Sequence, residues 1–189
     1  MAAADAERWD ARYSGGTDRP AVAHVPIALE RAGHAVLDQV PTGGTAVDVA
    51  CGLGAQSLWL AHRGLHVRSL DISSEAIASL SASARAAGLA DRISADVCDF
   101  DGGLPDGLGP FDVIVCQRFR APHLYESFVE HLRPGGWLVM TILSETGAAD
   151  PGEFHAPPGE LTLFFDRPGC FLVAHHEADG EESIVLRRT

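Results

Sequence analysis

The sequence predicts an α/β fold: a mostly parallel sheet interleaved with helices and closed by one antiparallel hairpin. Three observations carry this expectation. Val47-Asp48-Val49 is a short apolar strand that breaks at Gly52-Leu53-Gly54 and runs into a helical stretch, residues 57–63, closed by Gly64. Strand-like and helical runs then alternate along most of the chain. Finally, Asp179-Gly180 is a tight-turn pair between two strand-like runs, residues 171–175 and 183–188, which makes them a hairpin.

Taken in order, residues 5–13 form a short helix ending in Ser14-Gly15-Gly16, with Trp9 and Tyr13 four apart on one face. One role for that aromatic pair is to anchor the N-terminal arm on the core. Residues 26–40 read as a helix, with proline in the first turn and Ile27, Leu29, Ala32, Val36 and Leu37 as an apolar stripe. The loop 41–44 leads into the first strand. A second strand, residues 66–70, ends at Asp71. The helix over 74–87 turns Ile77, Leu80, Ala84 and Ala87 to the sheet and stops at Gly88. A third strand, 92–95, runs into Asp96-Val97-Cys98-Asp99-Phe100. The run 111–116 is apolar throughout, as in a strand covered on both faces. Gln117-Arg118-Phe119-Arg120 follow at its carboxyl end, the edge where open α/β sheets bind ligands. A helix over 121–133 carries Leu124, Phe128 and Leu132 and is stopped by Pro134-Gly135-Gly136, after which 137–143 is the fifth strand. The loop 144–158 is long enough to be a functional lid. A short helix runs from Pro158-Gly159-Glu160-Leu161 to Phe165.

At 189 residues and 46% hydrophobic content the chain suits one ordinary domain with a proper core. A net charge of −12 repels phosphate backbones and anionic membranes, so nucleic-acid and membrane partners are not expected. The four cysteines are widely spaced with no C-x-x-C pair, which fits a reduced, cytoplasmic protein better than a disulfide scaffold. The N-terminus shows no apolar leader, and no run approaches the ~20 apolar residues of a membrane span. No Cys/His cluster has metal spacing, and His175-His176 alternate faces of a strand, so no metal is expected.

The glycine turn lets a ligand lie against bare backbone beside a helix N-terminus. The dinucleotide pattern G-x-G-x-x-G is incomplete, because Ser57 holds its third glycine position. Asp48 inside the strand favours a cation over a pyrophosphate. Asp71 lies 71 − 52 = 19 residues beyond Gly52, near the spacing at which nucleoside-binding folds place an acid for ribose hydroxyls. Its other role would be a helix cap, which Ser73 or Ser74 can supply instead.

The motif Asp48-Val-Ala-Cys-Gly52-Leu-Gly54, followed in order by Asp71, Asp96 and Leu132-Arg-Pro-Gly-Gly136, resembles the class I S-adenosylmethionine-dependent methyltransferases. Trp9-Asp-Ala-Arg-Tyr13 and Pro158-Gly-Glu-Leu161 are similar to the small tellurite-resistance and thiopurine types. The resemblance implies a Rossmann-like seven-stranded sheet in the order 3-2-1-4-5-7-6, with helices on both faces. It implies one methyltransferase domain over 1–189, in which 1–44 form an arm and helix covering the cofactor site and 144–158 a lid. It implies S-adenosyl-L-methionine as cofactor and S-adenosyl-L-homocysteine as product. By this resemblance the cofactor residues are Trp9, Tyr13, Asp48, Ala50, Cys51, Gly52, Gly54, Asp71, Ile72, Asp96, Val97 and Gln117, with Asp99 as the rival of Asp96 if the third strand runs longer. The implied partner is a small-molecule methyl acceptor, with the chain a monomer or homodimer.

Residues beyond the fourth and fifth strands supply the acceptor-side candidates. Arg118, His123 and His155 are the catalytic candidates; Arg120, Tyr125 and Phe154 are their neighbours. Arg118 suits an anionic acceptor, Arg120 reads as a solvated loop charge, and His155 is the better general base. Soft acceptors such as thiols need no base, whereas oxygen or amine acceptors more often do. Cys116-Gln-Arg-Phe119 is no N-P-P-Y tetrad, which argues against amino-methylation of adenine or glutamine. A nicotinamide-dependent oxidoreductase is disfavoured by Ser57, by Asp48 and by the want of a Tyr-x-x-x-Lys pair. A non-catalytic S-adenosylmethionine-binding domain is the third reading.

Overall fold

The structure is a computed structural model that describes residues 2–14 and 21–189. Seven strands form one sheet in the order β3-β2-β1-β4-β5-β7-β6, as expected. The chain divides into two compact units, residues 1–25 with 41–108 and residues 26–40 with 109–189.

The first unit holds α1 (Ala2–Ser14), β1 (Thr45–Val49), α4 (Ala55–His62), β2 (His66–Asp71), α5 (Ser74–Ala86) and β3 (Ile93–Val97). The expected stop of α1 at Gly15-Gly16 lies outside the described residues. β1 pairs with β2 and β2 with β3, both parallel. Leu58, Ile77, Leu80, Ala84 and Cys51 form the apolar cluster between α4, α5 and the sheet. Gly54 begins α4 with φ 85°, and a Cβ there would stand 2.2 Å from Leu80 Cδ1. That position therefore demands glycine for both conformation and space. Ser73 caps α5, its side chain accepting from the Ala76 N–H.

The second unit holds α2 (Ile27–Ala32), α3 (His34–Leu37), β4 (Phe111–Gln117), a 3₁₀ turn (Pro122–Leu124), α6 (Tyr125–His131), β5 (Leu132–Leu143), α7 (Glu160–Phe165), β6 (Cys170–Ala178) and β7 (Glu181–Arg188). β4 and β5 run parallel, while β7 is antiparallel to both β5 and β6. Asp179 and Gly180 both have positive φ (54° and 80°), the two-residue turn the hairpin needs. Leu29 on α2 is fully buried, and α2 packs against β5, β6 and β7. Tyr125, Phe164 and Phe165 pack their rings 4.9–5.5 Å apart between α6 and α7.

Three expectations change. The helix over 26–40 is two helices, because Gly33 at φ 85° ends α2 before His34 restarts the chain as α3. The helix over 121–133 opens as a 3₁₀ turn and ends at His131. Arg133-Pro134-Gly135-Gly136 does not precede the fifth strand but lies inside β5 as an irregularity: Phe111 pairs with Leu132 and Val113 next with Trp137. Gly136 fits that crowded spot, since a Cβ would meet Arg133 O at 2.9 Å.

Candidate functional site

The glycine turn is built by an acid on the neighbouring strand. Asp71, 5% exposed at the end of β2, accepts from Gly52 N–H at 2.7 Å and from Ser73 N–H at 2.9 Å. One carboxylate thus fastens the turn after β1 to the turn after β2. Burial raises its pKa, and the Ser73, Gly52 and Ile72 N–H groups pull the other way. A carboxylate offers about four lone-pair sites, so these three donors leave one for a further donor. The turn itself carries positive φ at Ala50 (54°), Gly52 (51°) and Gly54 (85°). Cys51 N–H donates to Leu70 O, and its thiol is buried, which pushes its pKa up. Ile72 is half-buried beside Asp71.

Helix α1 reaches this turn. Trp9 and Tyr13 stack with centroids 5.8 Å apart, and Tyr13 Oη lies 2.9 Å from where a Cβ on Gly52 would stand. Burial and the Asp71 charge push the Tyr13 phenol up to about 12, so it is a neutral donor at ordinary pH.

Asp48 departs from expectation. It is 1% exposed and turned into the first unit, where Ser57 Oγ donates to it at 2.6 Å and Ser69 Oγ donates to Ser57 at 2.8 Å. This chain of hydroxyls ties β1, α4 and β2 together. Desolvation raises the Asp48 pKa to about 7, opposed by Ser57 and reinforced by Asp71. Asp48 is therefore an internal strut, its carboxylate held by hydroxyls of the first unit. Ser57, the residue that interrupts the dinucleotide pattern, is its partner.

Asp96 and Val97, at the end of β3, are exposed. Asp96 Oδ2 pairs with Arg68 at 3.0 Å and accepts from Ser94 Oγ. Asp99 lies past the end of β3, its Oδ1 accepting from Asp101 N–H.

In the second unit, Gln117 turns its amide onto the sheet's own backbone, donating to Cys116 O and Val139 O. Arg118 follows with φ 56°, held by its N–H to Thr141 O at 2.7 Å. A cavity of about 530 Å³ is lined by Arg118, His155 and Glu181 together with residues 147–150 and 179–180. Two of the three catalytic candidates therefore meet. The third, His123, stands exposed on the 3₁₀ turn, outside that lining. Arg118 Nε donates to Glu181 at 2.7 Å, and the other oxygen of Glu181 takes Arg31 at 2.9 Å. Arg118 is thus already paired with a buried acid, although its side chain stays 69% exposed. His155 Nδ1 lies 2.9 Å from Gly152 N and 3.3 Å from Gly152 O, so the ring is held on the Gly152 backbone.

Arg120 is not a solvated charge. It clasps both oxygens of Glu160, and Tyr125 Oη donates to the same carboxylate at 2.8 Å. Glu177 and Glu181 carry no signal in the sequence, where an acidic hairpin reads as surface. Glu177 accepts from Ser144 Oγ, Thr146 Oγ1 and Gly159 N–H, stapling both ends of the 144–158 loop. His175, Glu177 and Glu182 bring one ligand atom each within 4.8 Å of one another. The carboxylates there are already occupied at the start of α7, Glu182 accepting from Leu161 and Thr162 N–H.

Residues 46–136 match the family model described as a methyltransferase domain. The ubiquinone biosynthesis O-methyltransferase of Paraburkholderia xenovorans (strain LB400) is 27% identical over 116 residues, 54% of this chain and 46% of that one. This chain thus covers less than half the length of that relative. Among solved structures, TehB from Haemophilus influenzae superposes with TM-score 0.68 at 20% identity, over 85% of this chain and 62% of that one. Geranyl diphosphate C-methyltransferase from Streptomyces coelicolor A3(2), solved with Mg2+, geranyl diphosphate and S-adenosyl-L-homocysteine, gives TM-score 0.67 at 13% identity, over 86% and 78%. Residues 46–136 thus match a methyltransferase domain, and the chain shares the fold of these methyltransferases, with the seven-stranded sheet order that the motifs' resemblance implied. No helix among the described residues is long and apolar enough to cross a membrane.

Proposed function

We propose that this chain transfers a methyl group from S-adenosyl-L-methionine to a small-molecule acceptor. The carrying observation is Asp71: a buried carboxylate 19 residues beyond Gly52 that fixes the bare glycine turn and keeps a lone pair in reserve. The residues present fit a sulfonium nucleoside. An acid stands where ribose hydroxyls need an acceptor, a neutral phenol overlies Gly52, and no pyrophosphate-binding third glycine follows. Asp71 accepts from a ribose hydroxyl, Gly52 and Gly54 allow close approach, Tyr13 covers the turn with Trp9 stacked behind it, and Ala50, Cys51 and Ile72 line it. Asp96, Val97 and Gln117 remain as proposed cofactor residues on their strand ends.

The bound sulfonium supplies a methyl carbon already activated by positive charge, so transfer is an in-line displacement. What the protein contributes is orientation and exclusion of water. The second unit's cavity, of small-molecule size, is the candidate acceptor pocket. Arg118 offers it a paired guanidinium and His155 an imidazole. A soft nucleophile such as a thiol suits this arrangement, because it needs no base. Titration calorimetry tests the cofactor assignment. S-adenosyl-L-homocysteine should bind in the micromolar range, and Asp71→Ala should weaken it about 10- to 100-fold, the loss of a charge-assisted bond. Unchanged affinity in that variant would remove the assignment.

A further inference from the structure

We infer that Asp10 is a positioning residue for cofactor exchange: it docks α1 on the start of α5 and so sets how often the glycine turn is uncovered. This rests on the cofactor assignment above. Asp10 Oδ1 accepts from Ser73 Oγ at 2.5 Å and from Glu75 N–H at 3.2 Å, and Oδ2 accepts from Ser74 Oγ at 3.2 Å. Glu75 N–H is one of the four donors that the first turn of a helix leaves without an internal partner. Ser73 serves another of them, on Ala76. Helix α5 is therefore capped twice, once by its own serine and once by a carboxylate brought from more than sixty residues upstream. The anion also meets the positive end of the α5 dipole. The Ser73 hydroxyl, followed by the Glu75 N–H, holds the Asp10 carboxyl below its ordinary value.

One turn further along α1 stands Tyr13, with its hydroxyl against Gly52. The Asp10 side chain thus helps to hold the Trp9–Tyr13 pair on the turn. Every atom of the latch belongs to the protein, so α1 docks whether or not a ligand is present. The ligand enters and leaves when α1 lifts. Weakening the latch favours the lifted state of the free and the bound chain by the same factor. Association and dissociation then speed up together, and the ratio that sets affinity hardly moves. Damage to α5 or to the Asp71 turn would act differently, raising dissociation alone and lowering affinity in proportion.

The test is stopped-flow binding of S-adenosyl-L-homocysteine to the full chain, paired with amide exchange of the ligand-free chain. In Asp10→Ala, both rate constants should rise about fivefold, the factor that a lost helix cap typically represents, with Kd within twofold. Exchange over residues 8–13 should accelerate by a similar factor. Ser74→Ala removes one of the three bonds and should give about a twofold rise in both rates. Asp5→Asn, which breaks only the Asp5–Arg8 pair within α1, should leave them unchanged. A rise in dissociation alone, or unaltered exchange over residues 8–13, would overturn the latch. Wild-type binding with unchanged rates in Asp10→Ala would overturn it and leave the cofactor assignment standing. No binding to the wild-type chain would overturn the cofactor assignment and the gate with it.

Discussion

Replacing Asp48 by Asn should flatten the dependence of stability on pH. Asn keeps the acceptor for Ser57 Oγ but cannot ionise. In the folded chain the Asp48 carboxyl titrates near 7, against 3.8 in its ordinary state. Between those values the native protein holds a proton that the unfolded chain has released. Stability from this group is therefore complete below pH 3.8, declines as pH rises, and is gone above about 7. At about 1.4 kcal/mol for each tenfold change in proton affinity, the displacement from 3.8 to about 7 is worth about 4 kcal/mol in full. About 2.5 kcal/mol of it falls between pH 5 and pH 8 by the same relation. Urea unfolding of wild type and Asp48→Asn, followed by tryptophan fluorescence at both pH values and one ionic strength, measures it. The Asn variant should gain on wild type by about that amount from pH 5 to pH 8. A difference that stays constant to within about 0.5 kcal/mol would show that Asp48 is ionised and solvated in the native state, and the strut would have to be abandoned.

Two further outcomes follow from the same geometry. Ala50 holds φ 54°, where a Cβ costs about 1–2 kcal/mol and added chain freedom in the unfolded state offsets about half of that. Ala50→Gly should therefore raise Tm by about 2 °C in a thermal melt, and a fall would mean that neighbouring contacts relieve the strain. Glu177→Gln should loosen both ends of the 144–158 loop. Amides of Thr146 and Gly159 should exchange faster while S-adenosyl-L-homocysteine affinity stays the same, and equal exchange would show that the backbone bridges at Ser144 and Ala156 suffice.

Elements that announce themselves by local chemistry were legible. The hairpin turn, a serine cap at Ser73 or Ser74 (Ser73 in the fold) and the glycine stops at Gly64 and Gly88 are each dictated by a few adjacent residues. The miss at Gly33 was also local: a glycine at φ 85° ended a stripe whose apolar spacing continued through it. Leu132 to Gly136 reads differently in the fold because Pro-Gly-Gly stops a helical pattern in sequence, whereas a strand pairing can absorb the same residues as an irregularity.

The sequence by itself determined the order of strands and helices, the glycine turn, and the acid placed 19 residues after it. Those follow from backbone conformation and spacing, which act over one or two elements. Only the tertiary structure decided which way Asp48 faces, because β1 is buried along nearly its whole length and alternation cannot tell one buried face from the other. It alone brought Asp10 to the start of α5, Arg118 to Glu181, and His155 into the same cavity as Arg118. Such partners are far apart along the chain, and hydrogen bonds and ion pairs between them leave no periodicity to read.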